Sequence, residues 1–437
     1  MSQTDSSLKR TLTPWMLWGL GVGYVISGMY FGWNLGLEKG GTLGLAIATF
    51  FIILLYVTFT LGYTELACAI PKAGGGFDYA KRALGKEVGF IAGMAQNIEF
   101  LFAPPAIAFA IGAYFNLFFP QVPILVMAIG SYIGFTLLNT YGVKVAALFE
   151  LVITLLAVGE LLLFAGIMLP HFDFNHLKTN ALPNGISGIF ASLPFAIWFF
   201  LAIEGLANVA EEAIEPKRTI LLGFGSAMGT LVTLCVLTFA SSVGVAGWEA
   251  VVYGPDGLVS DSPLPLALAH VIDKKNMLYH LLITVGLFGL VASFHGIILA
   301  AGRSSFEFGR AGFAPSFLGR IHPTFRTPVN ALLTNMGIGI LALITGKTGE
   351  LIILSVFGAL TLYGISMIAL LRLRKTEPAL ERPFKVPLYP VSPLIALFIA
   401  IISFVAMTLY HPHIALLYFI LLSTCYGVFK WTENISR

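Results

Sequence analysis

SLPFAIWFFLAIEGLANVA, residues Ser192 to Ala210, decides how the chain is read. The run is apolar enough to cross a bilayer, yet Glu204 and Gly205 interrupt it. A carboxylate facing lipid at that depth costs several kcal/mol. A second stretch, GLGVGYVISGMYFGWNLGL from Gly19 to Leu37, is interrupted in its own way, with Gly and Ser where a plain span has Leu. Interrupted helices in matching positions of two halves mark transporters that bind at exposed backbone near the bilayer midplane. The alternative is that Gly21, Gly23, Gly28, Gly32 and Gly36 only let helices pack closely, as small residues do in membranes.

The rest of the chain fits a membrane setting. Of its 437 residues 57% are hydrophobic and 11% charged, and the mean hydropathy of +0.87 excludes a water-soluble domain of this length. Apolar stretches predict twelve spans, near 17–37, 43–66, 89–117, 121–138, 145–169, 187–209, 219–247, 278–301, 329–345, 350–372, 391–409 and 413–430. With both termini cytoplasmic, only Lys39, Lys178, Lys274, Lys275 and Lys347 of the 25 Lys and Arg lie outside, which satisfies the positive-inside rule. The basic residues are spread over loops and form no single face, so no nucleic-acid partner is expected. The first span carries Trp33, Asn34 and Glu38 and lacks a small-residue cleavage site, so it reads as retained. Cys68, Cys235 and Cys425 have no metal or disulfide spacing, and neither a metal nor a cofactor is expected. Nucleophile elbow and P-loop signatures are missing from the sequence, which argues against an enzyme or a nucleotide-driven pump.

Five ordered motifs narrow the class. They are YTELACAIPKAGGGFDYAKRALGKEVGFIAG (Tyr63 to Gly93), LNTYGVK (Leu138 to Lys144), AEEAIEPKRTI (Ala210 to Ile220), GRSSFEFGRAGFAPSFLGRIHPTFRTPVNALL (Gly302 to Leu333) and ERPFKVPLYPVSPLI (Glu381 to Ile395). Together they resemble the amino acid, polyamine and organocation (APC) permease superfamily, and within it the ethanolamine permeases. The resemblance implies an all-α integral membrane fold of twelve helices. Helices one to five (13–169) and six to ten (187–372) would form a five-plus-five inverted repeat with helices one and six broken, and 391–430 would supply two peripheral helices. It also implies a secondary transporter in the cell inner or plasma membrane. Its cargo would be a small amine, ethanolamine first, with amino acid or polyamine transport as the alternative. A non-transporting sensor is the remote alternative.

The resemblance places the substrate at the two breaks. In the first span Ser27, Gly28, Met29 and Tyr30 occupy the broken stretch, with Ile26 replacing a glycine, so a carboxylate-binding nest of N–H groups is poorer here. In the sixth, Trp198, Phe200, Leu201, Ala202 and Glu204 line the break, and Tyr30, Trp198, Phe199 and Phe200 could close over a cation. Glu99, followed by Phe100, is the only charge in GMAQNIEFLFAPPAIAFAIGAYF and by alignment faces the substrate; the alternative is a proton held near Gln96 or Asn97. His295 and Ser293 in the eighth span either wall the site or make helix contacts. Some proton-coupled relatives carry a lysine at the position of Ala157; this chain has Glu160 one turn later, so Glu204, Glu160 and Ser293 are the candidates for handling a co-transported proton or other cation. Glu65 and Glu150 are expected near the inner gate, with Glu211, Glu212, Lys217, Arg218, Arg303 and Arg310 forming ion pairs there.

Overall fold

The computed structural model describes residues 10–141 and 143–435, without the side chains of 143–146 and 435. Lys9, Gly142, Arg437 and the side chain of Lys144, which entered the charge count or the motifs, lie outside the described residues. In chain order the helices are α1 Pro14–Tyr30, α2 Asn34–Ala69, α3 Gly76–Leu84, α4 Lys86–Asn116, α5 Ile124–Asn139, α6 Val143–Met168, α7 Phe174–Lys178 and α8 Gly185–Trp198. A 3₁₀ segment, Ile203–Glu212, follows. Then come α9 Pro216–Ala246, α10 Glu249–Val252, α11 Pro263–Leu268, α12 Met277–Arg310, α13 Val329–Leu343, α14 Thr348–Thr376, α15 Val391–Tyr410 and α16 Pro412–Ile435.

Nine helical stretches among the described residues are long and apolar enough to cross a membrane, one of them being α8 with its 3₁₀ continuation, Gly185–Glu212. The other three expected spans fall on shorter helices: α1, α5 and α13 have 17, 16 and 15 residues. At 1.5 Å per residue, 16 residues cover about 24 Å, less than the ~30 Å of a hydrocarbon core.

The second interruption lies where it was expected, but the first lies beyond Ser27, Gly28, Met29 and Tyr30, which are helical, because Gly32 supplies the conformation that ends the helix. α1 begins at a Thr13 cap with Pro14 in its first turn, where a missing N–H costs nothing, and ends at Tyr30. Residues Phe31 to Trp33 are non-helical, and Gly32 has φ +88°, a conformation closed to most side chains. The chain then re-enters a helix at Asn34. Within α2 it turns again at Gly41, φ +65°, where a Cβ would come within 2.6 Å of the Ala181 carbonyl oxygen. In the second half the chain leaves α8 at Trp198, and Ala202 adopts φ +79°. A left-handed alanine costs ~1–3 kcal/mol and persists only where its surroundings enforce it. The exchange of α-helix for 3₁₀ beyond it leaves backbone groups that hydrocarbon cannot satisfy, so this segment must lie inside the protein, and every residue from Ile203 to Val209 is buried.

The two breaks touch. A Cβ on Gly28 would lie 2.9 Å from the Phe199 Cα and closer still to the Trp198 carbonyl oxygen. α1 packs on α6, α9 and α12, while α4 packs on α12 and α14 across the same interior. The glycines of the first span therefore serve close packing and the break together.

Inside one end of the molecule, Glu212 pairs with Arg303, both buried, and its carbonyl accepts the N–H groups of Thr11 and Leu12. Glu65 accepts from Arg374 at 2.6 and 2.7 Å and from the Val386 N–H at 2.7 Å, with Arg382 3.3 Å away. Arg310 pairs with Glu307 at 2.8 Å. Lys217 pairs with Glu381 in full view of solvent, a contact worth only ~0–1 kcal/mol.

Gly28→Ala should lower the unfolding temperature in detergent, costing ~1–3 kcal/mol by overpacking the break contact. Gly225→Ala, which meets open space, serves as control and should not. Equal unfolding temperatures for the two variants would remove the break contact from the account of stability.

Candidate functional site

Glu99 on α4 and Glu204 at the start of the 3₁₀ segment are fully buried and face each other across the second break. The Glu99 carboxyl lies beside Glu204 and the left-handed Ala202, and neither of its oxygens has a hydrogen-bond partner among the described residues. Two carboxyls bond to each other only when one carries a proton. Glu204 Oε2 also accepts the Tyr363 hydroxyl at 2.7 Å, and Tyr363 lies 3.1 Å from the Tyr56 hydroxyl, oxygen to oxygen. No Lys, Arg or His pairs with either acid among the described residues.

Aromatic rings wall this pair. Tyr56 packs on Phe200 at 5.2 Å and edge-on to Tyr363 at 5.5 Å, while Phe59 lies 4.2 Å from Tyr363. Below Glu99 by one turn of α4, the Gln96 amide donates to Asn208 at 2.9 Å, and Asn208 in turn donates to the Ala73 carbonyl at 2.8 Å. The Gln96 carbonyl oxygen is buried with no partner. Next to Ala73, a polar basin of about 460 Å³ opens, lined by Arg10, Lys72, Asp78, Lys81, Glu211, Glu307 and Arg310.

The other residues expected from the sequence are distributed more widely. Ser27 and Ser293 lie 2.7 Å apart, and Ser293 donates to the Tyr24 carbonyl at 2.6 Å, so both hydroxyls tie α1 to α12 just before the first break. The Tyr30 hydroxyl donates to Glu160 at 2.7 Å and lies 3.0 Å from the Ala157 carbonyl oxygen. Tyr114 donates to the Tyr30 carbonyl at 3.2 Å, and Tyr30, Tyr114 and Glu160 border a void of about 10 Å³, room for roughly one water. The Met29 carbonyl accepts the Trp33 indole N–H at 3.1 Å. Trp198 sits edge-on to Phe31 at 5.4 Å, and Phe199 stacks on Trp33 at 5.7 Å. Phe100 and Leu201 are buried. Of the four rings expected to enclose a cation, Phe200 alone adjoins the tyrosines of the carboxyl pair. Trp198 and Phe199 are committed to the rings of the first break, and Tyr30 is held by Glu160.

His295 does not join the carboxyl pair. Its Nδ1 lies 2.9 Å from Glu150 Oε2 at the seam of α12 and α6, because α12 turns Ser293 toward α1 and the residue two further on toward α6. Glu150, expected near the inner gate, is engaged by this histidine. Tyr56 and Tyr363 escaped the sequence reading altogether. Their signal was a tyrosine in mid-span, far from an interface, whose hydroxyl must find a partner inside the protein.

On the face where α2 begins, the Asn34 side chain bridges the first break to a loop. It accepts the Gly32 N–H at 3.0 Å and donates to the Ser260 carbonyl at 2.7 Å. The adjoining Asp261 accepts from Thr348 at 3.1 Å, and burial pushes its carboxyl up to about 6.

A multi-pass helical bundle with two facing helix breaks defines a membrane permease. The chain belongs to the amino acid permease family, whose family model matches residues 12–426. It is 28% identical to an uncharacterized transporter of Rhizobium meliloti over 92% of this chain and 87% of the relative. It is 26% identical to the methylthioribose transporter of Bacillus subtilis, and 26% to the branched-chain amino acid permease BcaP of the same species, each over 90% of this chain and 87% of the relative.

Asp261 gives a pH prediction for the loop. An acid raised on folding contributes stability that is present below its unfolded value and lost as pH rises through its folded one. The parent should therefore lose stability relative to Asp261→Asn between about pH 4 and about pH 6. Unfolding temperatures across that window check it, and a constant difference between the two proteins would sink it.

Proposed function

We propose that the protein is a secondary transporter importing a small hydroxylated amine, ethanolamine first, by alternating access around α1 and the α8 break, within a five-plus-five inverted repeat. One observation carries this reading: Glu99 and Glu204 are buried together with no basic partner among the described residues. Such a pair accepts one cation. Without cargo a proton between the carboxyls serves; with cargo an ammonium replaces it, and Tyr56, Tyr363 and Phe200 add cation–π contact of ~0.5–2 kcal/mol each. The partnerless Gln96 carbonyl oxygen, on the same face of α4 one turn away, is placed to accept the hydroxyl of ethanolamine. Glu160 and Ser293 fix the first break around Tyr30 and Ser27, and with Glu204 they are where a co-transported proton would act.

Cargo without a carboxylate is favoured by the first break. The Gly32 N–H, which a carboxylate-binding nest would offer, is already taken by Asn34, and the Phe31 N–H by the Ser27 carbonyl. Amino acid transport is the second reading, favoured by relatives that are amino acid permeases. Competition for uptake into proteoliposomes by glycine or a diamine, set against ethanolamine, separates the two. Because both acids are fully buried, cargo enters only after helices part. The Gln96–Asn208–Ala73 column marks the route toward the charged basin.

Glu99→Gln should weaken ethanolamine binding at least about tenfold, since unpairing one member of a buried charge pair costs ~3–5 kcal/mol. Calorimetry in detergent reads this, and unchanged affinity removes Glu99 from the site. Glu204→Gln should change the pH dependence of uptake, because the proton that competes with the ammonium has lost one of its two carboxyls. A Glu204→Gln transporter with the parent's pH profile makes Glu204 structural.

A further inference from the structure

The function proposed above leaves His295 and Glu150 unused, although both are fully buried and 2.9 Å apart. Each retains one partnerless polar atom, Nε2 on His295 and Oε1 on Glu150. The latter occupies a notch between α1 and α12. A Cβ added to Gly296 of α12 would lie 2.9 Å from Oε1, and one added to Gly23 of α1 would run into it. One turn further along α6, Thr154 donates to the Gly19 carbonyl of α1 at 3.2 Å. The groups facing the dyad are few. From α1 comes Tyr24, whose hydroxyl has no partner, and from α5 Asn139, which donates to the His295 carbonyl at 3.1 Å. Phe149 and Phe135 lie 5.1 and 6.3 Å from the imidazole. The nearest full charges beyond Tyr24 are Arg303 and Glu212, and these neutralise each other.

We propose that His295 and Glu150 form a proton-binding site of the transport cycle, distinct from the Glu99–Glu204 pair, loaded while α1 is seated on α12 and emptied when α1 swings away. Proton counting gives the reason. A carboxylate beside a neutral imidazole carries one net negative charge; one added proton, on either side of the Nδ1···Oε2 hydrogen bond, makes the dyad neutral. Removing that proton breaks one N–H or O–H bond, passes the proton to water and leaves a net charge among aromatic rings with no cation in contact among the described residues, which is expensive in a dry site. Glycine at both 23 and 296 leaves nothing but α1 itself between Glu150 and the helix that must move. Displacing α1 admits water to Oε1 and removes that expense, so occupancy by the proton and the position of α1 are linked.

The inference rests on the chain being a transporter, and its test is kept separate from the choice of cargo. Parent, Glu150→Gln and His295→Gln are reconstituted in liposomes, after unfolding temperatures in detergent identify any variant that does not fold. Both variants should retain counterflow of labelled ethanolamine and lose accumulation driven by an imposed pH gradient between about pH 5 and pH 8. A folded variant that accumulates ethanolamine under the gradient as the parent does overturns the proposal. Absence of counterflow in the parent counts against the ethanolamine reading instead. The dyad is then decided without cargo, from infrared difference spectra across the same pH range. These should contain a protonation change that Glu150→Gln or His295→Gln removes and Glu99→Gln leaves; spectra that coincide for parent and dyad variants also overturn it.

Discussion

Backbone opened inside hydrocarbon has no water to turn to, and the placing of the buried acids follows from that constraint. At the first break the Phe31 and Gly32 N–H groups find the Ser27 carbonyl and the Asn34 side chain. At the second, Ala202 turns left-handed and the segment beyond it is kept inside the protein, Ile203 to Val209 all being buried. Glu99 lies beside this break, one half of a carboxyl pair. The closest approach of the two breaks, Gly28 against Trp198 and Phe199, fixes them at one depth. A site built on the breaks inherits that geometry without help from flexible side chains.

The buried acids fall into two populations, and the difference is chemical. Glu65 and Glu212 sit against arginines, which always stay charged and hold carboxylates in forked geometry, so these acids are compensated permanently. Glu204, Glu150 and Glu160 are met by tyrosines or a histidine, and Glu99 lies beside Glu204. None of those partners supplies a fixed positive charge. A protein under selection for stability alone has no use for four such acids, because replacing buried ionisable groups by packed apolar ones is neutral or stabilising. The uncompensated set is the part of the interior whose acids have no fixed positive partner among the described residues.

Membrane class, helical content and both breaks were legible in the sequence, since apolar length and misplaced Gly, Ser and Glu are local properties. So was the oddity of Glu99, a lone charge in a long apolar run. Pairing was not. Nothing local says that residue 99 meets residue 204, or that Tyr363, more than 150 positions further on, donates to the latter. Helical phase decides between the two readings of His295: Ser293 and His295 are neighbours in sequence and point to different helices, and His295 makes a helix contact with Glu150. Lengths deceived as well, because α5 and α13 are shorter than the apolar runs that contain them.

α1 is the element on which these threads meet. Its Gly28 face lies on the second break, beside the carboxyl pair; its Ser27 and Tyr24 carbonyl are tied to Ser293; its Gly23 closes the notch over Glu150; its Tyr30 is held by Glu160. A helix so placed cannot shift without disturbing every uncompensated acid in the interior. The ties are single hydrogen bonds between neutral or singly charged groups, worth ~0.5–3 kcal/mol each, a scale that the binding of one buried cation can offset. On the transport reading proposed above, motion of α1 and the arrival or departure of positive charge are two descriptions of one event.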